Sequence, residues 1–228
     1  FRLTECNKKK IDAEAVSKLY ELDRVQERSS QFGEEVFIEH ILSYIGTEKK
    51  YVVELLDYGE QYFSNFEYLM QAKGYSGIII SPDSESQFAK RHAIIAENII
   101  PLLRTYKVPE IFDALSIDLN GNDYWVLEKV LEHYRPNLIV AEFNSSRADS
   151  VAIKYDSRFK WNNDDYYGFS FEAAKKLAEK FGYYIIFQND ELNLYMVAKE
   201  HIEGSFIECS FTQKNYHAHN PNGEWVTV

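Results

Sequence analysis

Apolar residues along the 228-residue chain fall into two rhythms. Spacings of three and four run through residues 11–30, at Ile11, Ala15, Leu19, Leu22 and Val25, and predict an amphipathic helix. The same rhythm at Val36, Phe37, Ile41, Leu42 and Ile45 predicts a second helix over 33–45, stopped by Gly46. At 51 the pattern changes to short continuous apolar runs, each predicting a buried strand: YVVELL (51–56), GIIIS (77–81), FDALSIDL (112–119) and NLIVAEF (137–143). Between them, helices are expected from Ser64 or Asn65 to about Lys73, from about Glu85 to Glu97, and from Tyr124 to His133. Asn120 and Gly121 mark a turn. A later helix is expected over Phe169 to Phe181, capped by Ser170 and stopped by Gly182. YYIIFQ (183–188) and LNLYMVA (192–198) are separated by so few residues that they must pair antiparallel.

Strands alternating with helices predict βαβ units and a mainly parallel sheet. With a reversed hairpin at its end, this pattern matches an α/β fold of the Rossmann-like, class I methyltransferase type. The expected division is a helical N-terminal extension over 1–48, the α/β domain over 49–205 and a C-terminal tail over 206–228.

Charge narrows the function classes. Twenty-five basic against 36 acidic residues give −11, which disfavours nonspecific nucleic-acid or membrane-surface binding. No apolar run approaches the roughly 20 residues of a membrane-spanning helix. FRLTECNKKK at the start lacks the apolar stretch of a signal peptide. The two cysteines, Cys6 and Cys209, are too few for a disulfide scaffold and read as reduced thiols of a cytoplasmic protein, although a single staple between them stays open.

In an open α/β sheet, ligands bind beyond the carboxyl ends of the strands. Four places follow: the loop 55–65, Ser81 to Asp83, Asp118 to Asp123, and Glu142 to Asn144. SIDLNGNDYW is the most informative. Asp118, Asn120, Asn122 and Asp123 offer oxygen ligands to a hard cation such as Mg²⁺, and Asp118 can instead act as a base. Read as plain structure, the same residues make a turn and a helix cap. Glu142 and Asn144 end the neighbouring strand and can face the same point.

QFGEEVFIEHIL, VVELLDYGEQYFSN, GYSGIIISPD, FDALSIDLNGNDYWVLEKV and LIVAEFNSS occur in the same order as in FkbM-like methyltransferases, and WNNDDYYGFSFEAAKKLAEKFGYYII resembles the C-terminal portion of that family. The resemblance covers most of 31–200. It implies a class I fold that binds S-adenosylmethionine (SAM) and methylates a hydroxyl of a sugar or other small molecule. It would place cofactor binding at Glu54, Asp57, Gly59, Ser81 and Asp83. Catalysis would fall to Asp118, Asp123 and Glu142, acceptor binding to Asn120, Asn122 and Asn144, and any divalent cation to Asp118, Asn120 and Glu142. The chain departs from the family at the cofactor loop. Leu56 and Glu60 stand where glycines are usual, Gly59 where an acid is common, and Ser81 where an acid normally accepts from the ribose hydroxyls. These departures predict a degenerate SAM site, in which case the chain acts by binding a protein partner; the alternative is an active O-methyltransferase.

Three further features stand out. His217 and His219 alternate and can form a metal pair, although no third ligand is obvious; 162–167 is a polar loop with aromatics that reads chiefly as surface, with the lining of a substrate mouth as the alternative; and Trp125 is expected to pack its helix onto the sheet. No G-x-S-x-G elbow or Walker loop is present.

Overall fold

The computed structural model of the chain describes residues 10–22, 29–47, 49–57, 63–189, 192–204, 209–211 and 213–228. Among these, helix α1 (Ala13–Leu19) and helix α2 (Glu34–Ile45) lead into strand β1 (Tyr51–Leu56), helix α3 (Glu67–Ala72) and strand β2 (Ser76–Ser81). Strand β3 (Ala89–Arg91), helix α4 (Ile99–Thr105), strand β4 (Ile111–Asp118), helix α5 (Asp123–Leu131) and strand β5 (Arg135–Glu142) follow. The chain continues through strand β6 (Val151–Ile153), helix α6 (Phe171–Phe181), the hairpin β7 (Tyr183–Asn189) and β8 (Asn193–Ala198), and strand β9 (Trp225–Thr227).

The main sheet has the order β3-β2-β1-β4-β5-β8-β7 among the described residues. Pairings from β3 to β5 are parallel, whereas β8 runs antiparallel to both β5 and β7. This is the Rossmann-like class I methyltransferase arrangement expected from the sequence, with its reversed terminal strand.

Both faces of the sheet are covered, which is why its strands read as continuous apolar runs. Along each strand the side chains alternate. Val53, Leu55, Leu115, Ile117, Ile139 and Ala141 join the core under α4, α5 and α6. Val52, Leu56, Ala114, Leu138 and Val140 join the core under α1, α2 and α3, together with Ile11, Leu19, Phe37, Ile38 and Ile41. The N-terminal helices are therefore one of the two helical layers rather than an appendage. The C-terminal segment is also drawn in, since β9 pairs antiparallel with β6.

The sheet departs from the sequence reading between 85 and 105. Instead of one helix to Glu97, the chain adds the three-residue edge strand β3 and then α4. Pro101 is tolerated in the first turn of α4, where a backbone N–H would lack an intrahelical acceptor anyway. The first helix is also shorter than expected; 23–28 lie outside the described residues. Caps fall where predicted: Ser170 accepts from the Ala173 amide, and Gly182 closes α6 at φ 75°.

Candidate functional site

Strand order reverses direction of growth between β1 and β4, and there a cleft of about 640 Å³ opens at the carboxyl ends of the strands. Its floor is Asp57, just after β1, with Leu119, Asn120 and Asn122 after β4. The amide of Asp57 donates to the carbonyl of Asp118 (3.1 Å), which ties the two strand ends together. One wall is Ala93, Ile94 and Ile95. Asn98 shapes that wall by accepting from the Ile95 amide (3.0 Å) and donating to the Ala93 carbonyl (2.8 Å). The other wall is a flap, 157–161, with Asn163 behind it.

The flap is pinned to the floor by contacts remote in sequence. Asn122 donates to the Asp156 carbonyl (2.8 Å), and the Phe159 ring packs closely against Gly121. A Cβ at Gly121 would stand 2.4 Å from the Phe159 ring, so glycine is required for this approach. Gly121→Ala is expected to displace the ring at an overpacking cost of about 1–3 kcal/mol. Limited trypsin digestion checks this, since cleavage after Arg158 and Lys160 should accelerate; an unchanged rate would show that Phe159 does not hold the flap. Asn120 and Asn163, both on the cleft, have left-handed backbone (φ 51° and 56°), which asparagine tolerates better than most residues.

The loop 118–123 is organised by Asp123. Its buried carboxylate accepts from the Leu119 amide (2.6 Å) and the Gly121 amide (2.8 Å). Burial raises this carboxyl to about 6; the amide hydrogen bonds oppose the shift and the negative charge of Asp57 adds to it. Asp123, expected to be catalytic, thus spends both oxygens on backbone and does not line the cleft.

Several other expected site residues are likewise committed elsewhere. Glu54 lies between Val52 and Leu56 on the face covered by α3, fully buried. It accepts from the Ser64 hydroxyl and from the Asn65 amide (2.7 Å), and the same hydroxyl accepts from the Glu67 amide (2.9 Å) at the start of α3. Burial pushes the Glu54 carboxyl up to about 7, with those hydrogen bonds pulling the other way. Ser81, fully buried, accepts from the Asp83 and Ser84 amides (3.4 and 3.3 Å) and closes a turn; neither Ser81 nor Asp83 lines the cleft. Asn144 donates to the carbonyls of Asp165 and Tyr167 (both 2.9 Å) and accepts from Ser146, so it shapes a loop instead of meeting a ligand. Leu56, which stands where the family has a glycine, is 4% exposed within the α1–α3 core and does not line the cleft. Gly59 and Glu60 lie outside the described residues.

Asp118 and Glu142 end adjacent strands, one step past the Ile117–Ala141 pair, and so share a face. The Tyr167 hydroxyl sits near both: its pKa is raised, first by burial and then by the charges of Glu142, Asp118 and Asp123. The sequence reading treated 162–167 as surface, but Tyr167 is 3% exposed and Asp165 6%. Asp118 and Glu142 do not line the cleft, whereas Asn120 does, so the expected cation trio is not assembled. Among the described residues no group of three or more His, Cys, Asp or Glu side chains is disposed to hold a metal ion. The two histidines part company: the His217 ring meets Trp161 and Tyr167 edge-on (5.0 and 5.5 Å between centroids), while His219 pairs with Asp165 at 2.9 Å. Trp125 bonds the carbonyl of Ile153 (2.9 Å), joining α5 to β6. Cys209 is a free thiol, and Cys6 lies outside the described residues.

No family model and no curated protein matches the chain. Among solved structures, the CurJ carbon methyltransferase resembles it at 10% identity and a TM-score of 0.41, over 72% of this chain and 53% of that one. A SAM dependent methyltransferase from Aquifex aeolicus does so at 12% identity and a TM-score of 0.33, over 83% and 98%. The chain thus spans about half the length of the first of these. No helix among the described residues is long and apolar enough to cross a membrane.

Proposed function

We propose that the chain is a methyltransferase-type protein, of the FkbM-like kind, whose cleft between β1 and β4 receives SAM. The observation that carries this reading is the cleft itself. It lies at the switch point of the sheet, its volume falls within the usual range for small-molecule sites, and the side chain of Leu56 faces away from it. The lining fits an adenosyl ligand in part. Phe159 and Trp161 put aromatic side chains on the lining, and Asp57 is the carboxylate on it among the described residues, a group of the type that accepts from hydroxyls or faces a sulfonium charge. When bound, SAM supplies an electrophilic methyl group. The chain's own contribution is placement: the floor residues orient an acceptor hydroxyl, and the flap limits water.

A second reading, a partner-binding protein with a lapsed cofactor site, is favoured by Ser81. The end of β2 presents a committed hydroxyl where the family has an acid, and Asp83 does not replace it on the lining. Thermal-shift and calorimetric titrations with SAM and S-adenosylhomocysteine separate the two. A ligand at 100 times its dissociation constant should stabilise the protein by about 2.7 kcal/mol, and Asp57→Asn should weaken binding. No response to either ligand at millimolar concentration would overturn the cofactor reading in favour of the partner-binding one.

A further inference from the structure

We propose that the outer half of the same cleft is an anion subsite, and that the acceptor is a small hydroxyl compound bearing a phosphate or carboxylate group. This deepens the methyltransferase reading and rests on it. The chain carries a net charge of −11, yet among the described residues the lining of the cleft includes two cations, Arg158 and Lys160, against one carboxylate, Asp57. On the described flap, positive charge is concentrated at the rim of an otherwise acidic molecule.

No close ion pair engages either cation among the described residues. Arg158 is 90% exposed and pairs only loosely with Asp156, whose carboxylate stands 3.8 Å from Nε, too far for a hydrogen bond. No ion pair involves Lys160 among the described residues. Some other surface cations are matched at hydrogen-bonding distance, as in Lys18–Glu14 and Arg147–Asp149, both 2.8 Å. The two cations also flank Phe159, whose ring is seated on Gly121. The flap backbone is fixed nearby by the Asn122–Asp156 bond, which places both side chains over one mouth.

A charge pair on a fixed loop, at the rim of a cleft with a carboxylate at its floor, is suited to an elongated ligand with an anionic end outward. Its neutral, hydroxyl-bearing end would then reach inward, towards Asp57. An anion at the rim would gain charge-assisted hydrogen bonds from a guanidinium and an ammonium, which would also draw it towards the cleft. The carboxylate of the cofactor is a competing source of the same chemistry, and the experiment separates the two.

Glucose 6-phosphate and glucose serve as probes in calorimetric titrations of the full chain, with and without saturating S-adenosylhomocysteine. The phosphorylated probe is expected to bind at least about tenfold more tightly than glucose, with the preference shrinking at high salt. The double variant Arg158→Ala/Lys160→Ala, altered only at exposed side chains, should lose that preference while keeping its affinity for S-adenosylhomocysteine. Equal binding of the two probes, or a preference that survives in the double variant, would overturn the proposal. So would a double variant that loses S-adenosylhomocysteine affinity instead, because the cations would then serve the cofactor. Failure of S-adenosylhomocysteine to bind the wild type would sink the cofactor reading alone, since phosphate discrimination is also read without it.

Discussion

Asp123→Ala is expected to cost about 2–6 kcal/mol of folding stability, a large share of the roughly 5–15 kcal/mol of a typical domain. Each carboxylate oxygen of Asp123 serves one buried amide, of Leu119 and of Gly121, and removing both acceptors leaves two donors without partners at about 1–3 kcal/mol each. Asp123→Asn retains one acceptor oxygen and turns an NH₂ towards the other amide, so about half of the loss should remain. The gap also depends on pH in a determined direction. Because the folded carboxyl titrates near 6 against an ordinary 3.8, ionisation removes stability from the wild type as pH rises through that window. The alanine variant has no such loss, so the difference should be widest near pH 4 and narrower at pH 7. Urea denaturation at both pH values measures this. Losses under about 1 kcal/mol for both variants would show that the loop is held by other means. Since Leu119 and Asn120 form the cleft floor, ligand affinity should fall with the loop.

The same residue shows what could be read from the chain and what could not. SIDLNGNDYW announced a turn and a concentration of polar groups behind a buried strand, and the turn lies at the cleft floor. Which of its polar residues would face a ligand depended on the whereabouts of backbone amides, information no pattern of residue types contains. Asp123, Asn144 and Glu54 therefore carried the composition of a site while serving as ties. Asp57 and Asn120 do face the cleft. The flap was illegible for a related reason. Its seat depends on pairs such as Asn122 with Asp156, 34 residues apart, and Gly121 with Phe159, which are contacts of the folded chain.

The strands were legible because burial on both faces gives continuous apolar runs, as in GIIIS and NLIVAEF. β3 escaped because an edge strand of three residues, AKR, has neither a buried run nor room for alternation. β6 and β9 are equally short and pair across more than 70 residues, so neither could be recognised without the other. The N-terminal helices were recognised as helices, but their role was not. Their apolar stripes showed that something was covered, and only the alternation of Val52, Leu56, Leu138 and Val140 onto one face identifies what.

Glu54→Gln should remove a pH dependence that the wild type displays. The wild-type carboxyl is fully buried and titrates near 7 when folded, against an ordinary 4.5. A raised folded value means that the native state holds the proton more tightly than the unfolded chain does. The associated stability is complete below pH 4.5, declines as pH climbs from 4.5 through 7, and does not change further above that. At 1.36 kcal/mol per pKa unit the decline amounts to about 3 kcal/mol. Glutamine keeps a carbonyl oxygen for the Asn65 amide, and its NH₂ can donate to the Ser64 oxygen, whose hydroxyl proton is free to rotate. The cap of α3 should therefore survive with no buried charge to form. Stability measured by urea denaturation at half-unit steps between pH 4 and 8.5 should show the variant level with the wild type at the acid end and more stable above pH 7. Parallel curves would mean that Glu54 titrates near its ordinary value, and the carboxylate could then again be counted among groups available to a ligand.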